Sequence, residues 1–520
     1  MLRVKNIKIG INDNNKEHII NKVSNILKTN VIDYKIVKRS IDARNKNNML
    51  YIYTLDVNVL NEDKIKLSDD VTITPDESYK IDELGNIQLN YRPIIIGAGP
   101  SGLFASYVLA LYGYKPILFE RGKDVDSRIK DVDNFLETGE LNINSNIQFG
   151  EGGAGTFSDG KLNTLVKDKN NRMKFVFDTF VECGAPEEIL YDNHPHIGTD
   201  ILRSVIKNLR NKIIKLGGEI HFNSCLTDII IKDNSVKGIV INDKDKYPTD
   251  VLFLCIGHSS RDTFKMLYKN KLDMTSKPFA IGIRVIHDQE LIDENMYHDN
   301  KELLGHASYK LTYTTEDNRG VYSFCMCPGG YVINSSSENN RLVVNGMSNY
   351  KRDSGYANSA IVVTVTEDDF GHNLFDGMNY QMKLEEKAYN YGKGMIPIQY
   401  YKDFLYNLKS EDIKTNGIMG KYIESNLNEI LPSFISSSIK EAFPYFGIKI
   451  KGYDDNPILC ACETRTSSPI RIVRNSELES NIKGIYPVGE GAGYAGGITS
   501  ASMDGMKASE EFIKKYKPFN

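Results

Sequence analysis

A chain of 520 residues that is 41% hydrophobic and 25% charged can bury large cores and divides into two or three domains, which excludes a disordered protein. Its 64 basic and 68 acidic residues leave a net charge of −4, so no overall positive footprint exists for nucleic acid or an anionic membrane. Small molecules or proteins are the expected partners.

Residues 1–90 alternate β-like runs (RVKNIKIGI, YKIVKRSI, MLYIYTLDVNVL) with one helical stretch, HIINKVSNILKT, the pattern of a small α+β domain. Its first fifty residues hold eleven Lys and Arg against four Asp and Glu. Few aromatics interleave with these charges, so a solvated face is favoured over a nucleic-acid grip. An acidic stretch with Pro and Gly, LSDDVTITPDESYKIDELGN, reads as a linker. From 91 to 275 the pattern is strand, glycine turn, helix, strand, which predicts a doubly wound, Rossmann-like α/β domain. Residues 276–454 bring β-rich runs (FAIGIRVIH, GVYSFCMC, RLVVNGMS, AIVVTVT) and then helices, and read as an inserted substrate domain. Residues 455–520 return to the α/β pattern. Pro93 to Tyr114 carries no charge over about a bilayer's thickness, but its Gly, Pro and Ser predict a buried strand, turn and helix. An odd count of seven cysteines and an opening MLRVKNIKIG without an apolar core lead to the expectation of reduced thiols in the cytoplasm, with no membrane partner.

Ile94–Ile96 run into Gly97-Ala98-Gly99-Pro100-Ser101-Gly102, followed by a helix and a second strand, PILFE. Gly97 suits the tight turn, Gly99 the approach of a pyrophosphate, and Gly102 close packing of helix on strand. The helix N-terminus would receive the phosphates. Glu120, with Arg121 beside it, ends the second strand where a carboxylate accepts ribose hydroxyls. Near the other end, GIYPVGEGAGYAGGITSASMDG places Gly489 and Glu490 in a second glycine turn and Gly496-Gly497-Ile498 at the start of a second helix. That helix end would face a planar cofactor and stabilise negative charge on it.

These motifs carry a resemblance. KRSIDAR (38–44), GAGPSGLFAS, ERG (120–122), FGEGGAGTFSDGKL (149–162), CIGHSSRDTF (255–264), FCMCPGG (324–330), NGMSNYKRDSGYANSA (345–360) and ETRTSSPIRIVR (463–474) resemble the uncharacterised FAD-dependent, or NAD(FAD)-utilising, dehydrogenases of bacteria. That group is a branch of the glutathione-reductase-like flavoproteins with two dinucleotide folds. The resemblance implies FAD extended from Gly97–Gly102 and Glu120 to a ribityl chain near Gly489 and Glu490. The wider class has Asp where this chain has Glu490. It further implies a flavin ring lined by Gly152, Gly153, Gly155, Thr156, Ser158 and Lys161, with Gly257 near the diphosphate half.

Substrate candidates fall within or beside the same strings: His258, Arg284, Cys327, Arg352, Glu463 and Arg465. Arginine in such pockets grips carboxylates. Cys325-x-Cys327 and Cys460-x-Cys462 could bind zinc or form a redox disulfide if they met in space, but they lack the spacer of the common zinc knuckle and buried thiols are frequent in cores, so a core role is favoured and no metal is expected. His194 and His196 read as capping or core residues. The function expected is an oxidoreductase moving a hydride equivalent between an unidentified organic substrate and FAD, with NAD(P)H as a transient reductant. Two alternatives stay open: a flavoprotein that binds or modifies RNA through the basic N-terminal module, and an FAD-bound scaffold without turnover. No catalytic acid or base and no oligomeric state is legible.

Overall fold

The three isoleucines Ile94–Ile96 form the middle strand of a five-stranded parallel sheet in the computed structural model, which describes residues 1–519. On one side lie Leu252–Leu254 and then Ile485–Pro487; on the other lie Ile117–Phe119 and then Glu219–His221. The strands other than the edge strand Glu219–His221 are almost wholly buried, which is why the sequence reads there as continuous apolar runs. The charge-free stretch is therefore strand, turn and the helix Pro100–Leu111, of which every residue from Ser101 to Ala110 is buried. Among the described residues no helix is long and apolar enough to cross a membrane.

The helix Ile498–Ile513 crosses Pro100–Leu111 at close range, because Gly505 has no side chain: a Cβ there would lie 2.2 Å from Ser101 O. The two ends of the α/β domain, nearly four hundred residues apart in sequence, are thus packed backbone to backbone. The helix Thr199–Lys215 adds Leu202, Val205, Ile206 and Leu209 to the same core.

A two-stranded ribbon, Met274–Ser276 with Ile470–Ile472, marks where the insertion leaves and re-enters the α/β domain. Between these strands a seven-stranded sheet runs Thr312–Thr314, Gly320–Cys327, Tyr356–Val365, Phe279–Asp288, Ile458–Glu463, Ile396–Tyr400 and Tyr422–Glu424. Ile458–Glu463 pairs with Phe279–Asp288, so the insertion extends past residue 454, where the sequence pattern ends it. The apolar run ILCAC reads equally as a strand of either sheet; only pairing decides.

The N-terminal domain is a four-stranded antiparallel sheet, ordered Val31–Asp42, Leu50–Val59, Leu2–Gly10 and Val71–Ile73, with the helix Lys16–Leu27 burying Ile19, Val23 and Leu27. The expected linker is a pinned strap: Gly85 N donates to Ile513 O at 2.8 Å and Tyr79 Oη to Glu510 at 3.0 Å. Arg39 of KRSIDAR reaches the α/β domain, with Nε 2.7 Å and Nη2 3.0 Å from the carboxylate of Asp192.

Candidate functional site

Gly97, at φ +100°, donates its N–H to Phe119 O at 2.8 Å, and a Cβ there would lie 2.3 Å from Cys255 O. A Cβ on Gly102 would lie 1.9 Å from Gly97 O. Packing therefore dictates both glycines. Gly99 differs, since its Cβ would meet only Gly153 Cα, at 3.9 Å. Gly99 is the N-cap of Pro100–Leu111 and supplies no side-chain cap, and the first intrahelical bond is Leu103 N to Gly99 O at 2.9 Å. The amides of Ser101 and Gly102 precede that bond, which is the arrangement that binds an anion.

This helix end opens on a cavity of about 850 Å³, within the usual range for a small-molecule site. The Glu120 carboxylate stands at its edge, accepting from Ala98 N at 2.7 Å and from Gly122 N and Gly150 N at 2.9 Å each. Three of its roughly four lone-pair positions are used, leaving room for one further donor. Arg121 lies over the Phe149 ring and bonds Asp262 at 2.8 Å. Arg128, fully buried, shapes the next loop by donating to Asn146 O, Ile147 O and Glu151 O. Gly153 at φ +62°, Gly155, Ser158 and Lys161 from that loop line the cavity. Gly152 and Thr156 lie behind it, where a Cβ on Gly152 would collide with Thr156 Oγ1.

The opposite end of the chain closes the space. Gly497, at φ +84°, caps Ile498–Ile513 without a side-chain bond, and no atom within 4 Å would obstruct a Cβ on Gly496, Gly497 or Gly257. All three line the cavity with bare backbone, as does Ile498 with its side chain. Glu490 also faces it, and burial, opposed by Lys277, pushes its carboxyl up to about 7. Ala98, Gly102 and Gly489 support the turn from behind, Gly489 N donating to Asp504 at 2.8 Å.

The inserted domain supplies the remaining face, through Phe324, Cys325, Asn345, Glu463 and Arg465. His258 lies here beside Ser259 Oγ at 2.9 Å; burial, with Arg465 and Arg261 nearby, pushes it down to about 3, so it is neutral at pH 7. Arg465 is not free to grip a carboxylate: its guanidinium spans Glu385 at 2.7 and 2.9 Å, with Ser337 at 2.6 Å and Ser259 at 3.0 Å. Arg261 shares Glu385 at 2.8 Å through two nitrogens. Three further substrate candidates stand behind the cavity wall. Arg284 is fully buried between Glu463 at 3.1 Å and Asn358 at 2.5 Å, Cys327 is fully buried, and Arg352 holds Asp159 at 2.7 Å. Burial opposes the charge on Asp159, but Lys161 and Arg352 keep its carboxyl down at about 2. Glu463 does line the cavity, and burial raises its carboxyl despite Arg284.

His196 bonds Tyr350 O at 3.0 Å and His194 lies 2.9 Å from Asn163, while Gly198 caps the helix that follows. Sequence reading missed Lys277, Phe324, Asn345 and Tyr494: Lys277 lies outside every quoted string, and the other three lie within FCMCPGG, NGMSNYKRDSGYANSA and the C-terminal glycine turn, where nothing local singles them out from their neighbours. Cys325 carried a signal, its Cys-x-Cys string, but the reading favoured Cys327.

The chain is 45% identical over 533 aligned positions to an uncharacterised protein of Clostridium beijerinckii, covering 99% of both chains. Residues 278–466 match the family described as FAD-dependent protein, C-terminal domain-like. The chain and this Clostridium protein belong to one family, and residues 278–466 of the chain are similar to the FAD-dependent family. Residues 1–58 match a domain of unknown function, DUF8436. A thiamine thiazole synthase of Pyrococcus horikoshii is 31% identical over 175 residues, which is 33% of this chain and 55% of that protein. Among solved structures, the E. coli quinol fumarate reductase FrdA is 12% identical with a TM-score of 0.36, covering 83% of this chain and 71% of its own. A likeness that loose carries no argument about the site.

Proposed function

We propose that this protein is an FAD-dependent oxidoreductase that holds FAD in the 850 Å³ cavity. The observation that carries the proposal is the convergence of two helix N-termini, each capped by a glycine with no side-chain bond, on one space lined by unobstructed backbone. One helix end takes the pyrophosphate through the amides of Ser101 and Gly102, and Glu120 has capacity for one ribose hydroxyl. Gly257, Gly496 and Gly497, where a Cβ would meet nothing within 4 Å, leave room for a flat ring system, and Glu490 faces the same space. Bound there, the flavin supplies two-electron, hydride-equivalent chemistry.

The protein's own groups set the conditions for that chemistry. The N-terminus of Ile498–Ile513 favours negative charge in the cavity. Glu490, with its carboxyl at about 7, is placed to hold or release a proton near neutral pH, whereas His258 stays neutral and serves as a hydrogen-bonding surface. The arginine–glutamate cluster of Arg261, Arg465 and Glu385 fixes the geometry of this face, leaving Lys161 and Lys277 as the cations nearer the open space. The organic substrate would enter on the side of Phe324 and Asn345. NAD(P)H is proposed as a transient reductant of the same site. Purified protein mixed anaerobically with NADH or NADPH tests this: bleaching of the flavin band is expected, and no bleaching by either removes nicotinamide from the scheme. A preparation that stays colourless after reconstitution with FAD overturns the cofactor assignment itself.

A further inference from the structure

Strand Gly320–Cys327 brings two sulfurs to the cavity, one lining it and one just behind, that the flavin reading leaves unused. Strand Gly320–Cys327 pairs with Tyr356–Val365 as far as Phe324 opposite Ala360, and the next pair is Cys327 opposite Asn358, so the strand carries one extra residue. Cys325 sits in this bulge at φ +47°, a left-handed conformation that non-glycine residues seldom adopt and that bulges use to re-aim a side chain. The result is that Cys325 lines the cavity and is partly exposed, while Cys327, two residues on, is fully buried behind it. The Cys327 thiol lies 3.3 Å from Cys325 O, and one nitrogen of Arg284 lies 3.3 Å from that same oxygen and 3.9 Å from Cys327 Sγ. Arg284 is itself locked by Glu463 and Asn358. The Cys327 thiol lowers the pKa of Cys325, and Lys161 and Arg284 add to this against the opposing effects of burial and Asp159, which favours a Cys325 thiolate; Cys327, raised by Cys325 and by burial, keeps its proton. An accessible thiolate backed by a protonated thiol two residues away is the division of labour that disulfide exchange requires.

We propose that Cys325 and Cys327 are a redox dithiol that exchanges with a small-molecule disulfide entering the cavity. The Cys325 thiolate attacks one sulfur of that disulfide; its S–S bond breaks, one thiolate leaves, and a mixed disulfide forms on Cys325. Cys327 then gives its proton to the thiolate that left and attacks Cys325 Sγ, which breaks the mixed disulfide and releases the second thiolate. Two protein thiols have lost two electrons, and one disulfide has become two small thiols. Resetting the pair takes two electrons and one proton. The electrons are assigned to the reduced flavin, and only this step rests on the flavoprotein reading; the exchange uses the protein's sulfurs alone.

Cys225 is the other partly exposed thiol, so the test uses the full-length chain carrying Cys225→Ser, with bis(2-hydroxyethyl) disulfide as the probe. Intact-mass measurement should show the loss of two hydrogens, with peptide mapping placing the new linkage between Cys325 and Cys327. Adding Cys327→Ser should instead trap one hydroxyethylthio adduct on Cys325, and adding Cys325→Ser should abolish both products. A stable adduct on Cys325 when both cysteines are present, or no adduct on Cys325 in the Cys327→Ser protein, overturns the proposal. The visible spectrum of the same samples reports the flavin separately: a colourless protein that still closes the linkage supports the dithiol and sinks only the flavin reading.

Discussion

Gly99 and Gly153 meet backbone to backbone: a Cβ on Gly153 would stand 3.0 Å from Gly99 Cα. This contact brings the loop that follows the helix Val125–Thr138 against the first glycine turn, so two segments about fifty residues apart form one wall of the cavity.

The two glycines predict different failures. Gly99→Val should fold, because its side chain would point into open cavity, yet it should purify without flavin. Visible absorbance per protein, with circular dichroism as the folding control, checks this, and a yellow Gly99→Val protein means the pyrophosphate lies elsewhere. Gly153→Ala should cost about 1–3 kcal/mol in denaturant unfolding, since φ +62° and ψ −162° form a region open essentially to glycine alone.

Glu385 is fully buried between Arg261 and Arg465, which hold its carboxyl well below the usual range although burial opposes the charge. Its contribution to stability is complete above the ordinary glutamate value of 4.5 and is lost only as pH falls toward the lower folded value. Glu385→Gln leaves two buried guanidiniums without this anion and should cost about 3–5 kcal/mol in a denaturant titration at neutral pH. A change below about 1 kcal/mol would show that Glu338, which accepts from Arg261 at 2.5 Å and Arg465 at 3.3 Å, alone neutralises the pair.

Glu490 has the opposite sign. Its folded carboxyl is raised to about 7 from 4.5, so between these values the folded, cofactor-free protein binds more protons than the unfolded chain. Stability should therefore fall as pH rises through that window and level off above it. Glu490→Gln should flatten this decline in thermal midpoints measured from pH 4.5 to 8. Some slope should survive, because burial also lifts Glu151 to about 7.

The clasp between Arg39 and Asp192 is flanked by two backbone bonds, Arg39 N to Tyr191 O at 2.7 Å and Asn193 N to Arg39 O at 2.9 Å. Asp192→Ala should cost about 1 kcal/mol, as expected of a partly exposed pair. Limited proteolysis should cut the segment after Ile73 faster than in the parent, leaving flavin content unchanged. Loss of flavin would tie the N-terminal domain to the cavity instead.

Local chemistry made part of this protein legible. Gly97 and Gly102 could be assigned from spacing because the strand–turn–helix they serve is built within six residues, and the buried parallel strands announced themselves as uninterrupted apolar runs. The same logic failed for Arg284, Arg352 and Arg465. An arginine in a motif reads identically whether it faces a ligand or a carboxylate, and their partners Glu463, Asp159 and Glu385 lie up to 193 residues away in sequence.

By itself, then, the sequence determined that a dinucleotide-type turn exists, that the chain is α/β with a β-rich insertion, and that a second glycine turn lies near its C-terminus. Only the tertiary structure decided that both helix ends open on one cavity, that Cys325 rather than Cys327 reaches it, and that all three candidate substrate arginines are already paired with carboxylates. The reason is physical: turns and strands follow from φ/ψ preferences and burial over a few neighbouring residues, whereas the side chain that reaches a cavity is set by strand register, a single bulge and long-range pairing of charges.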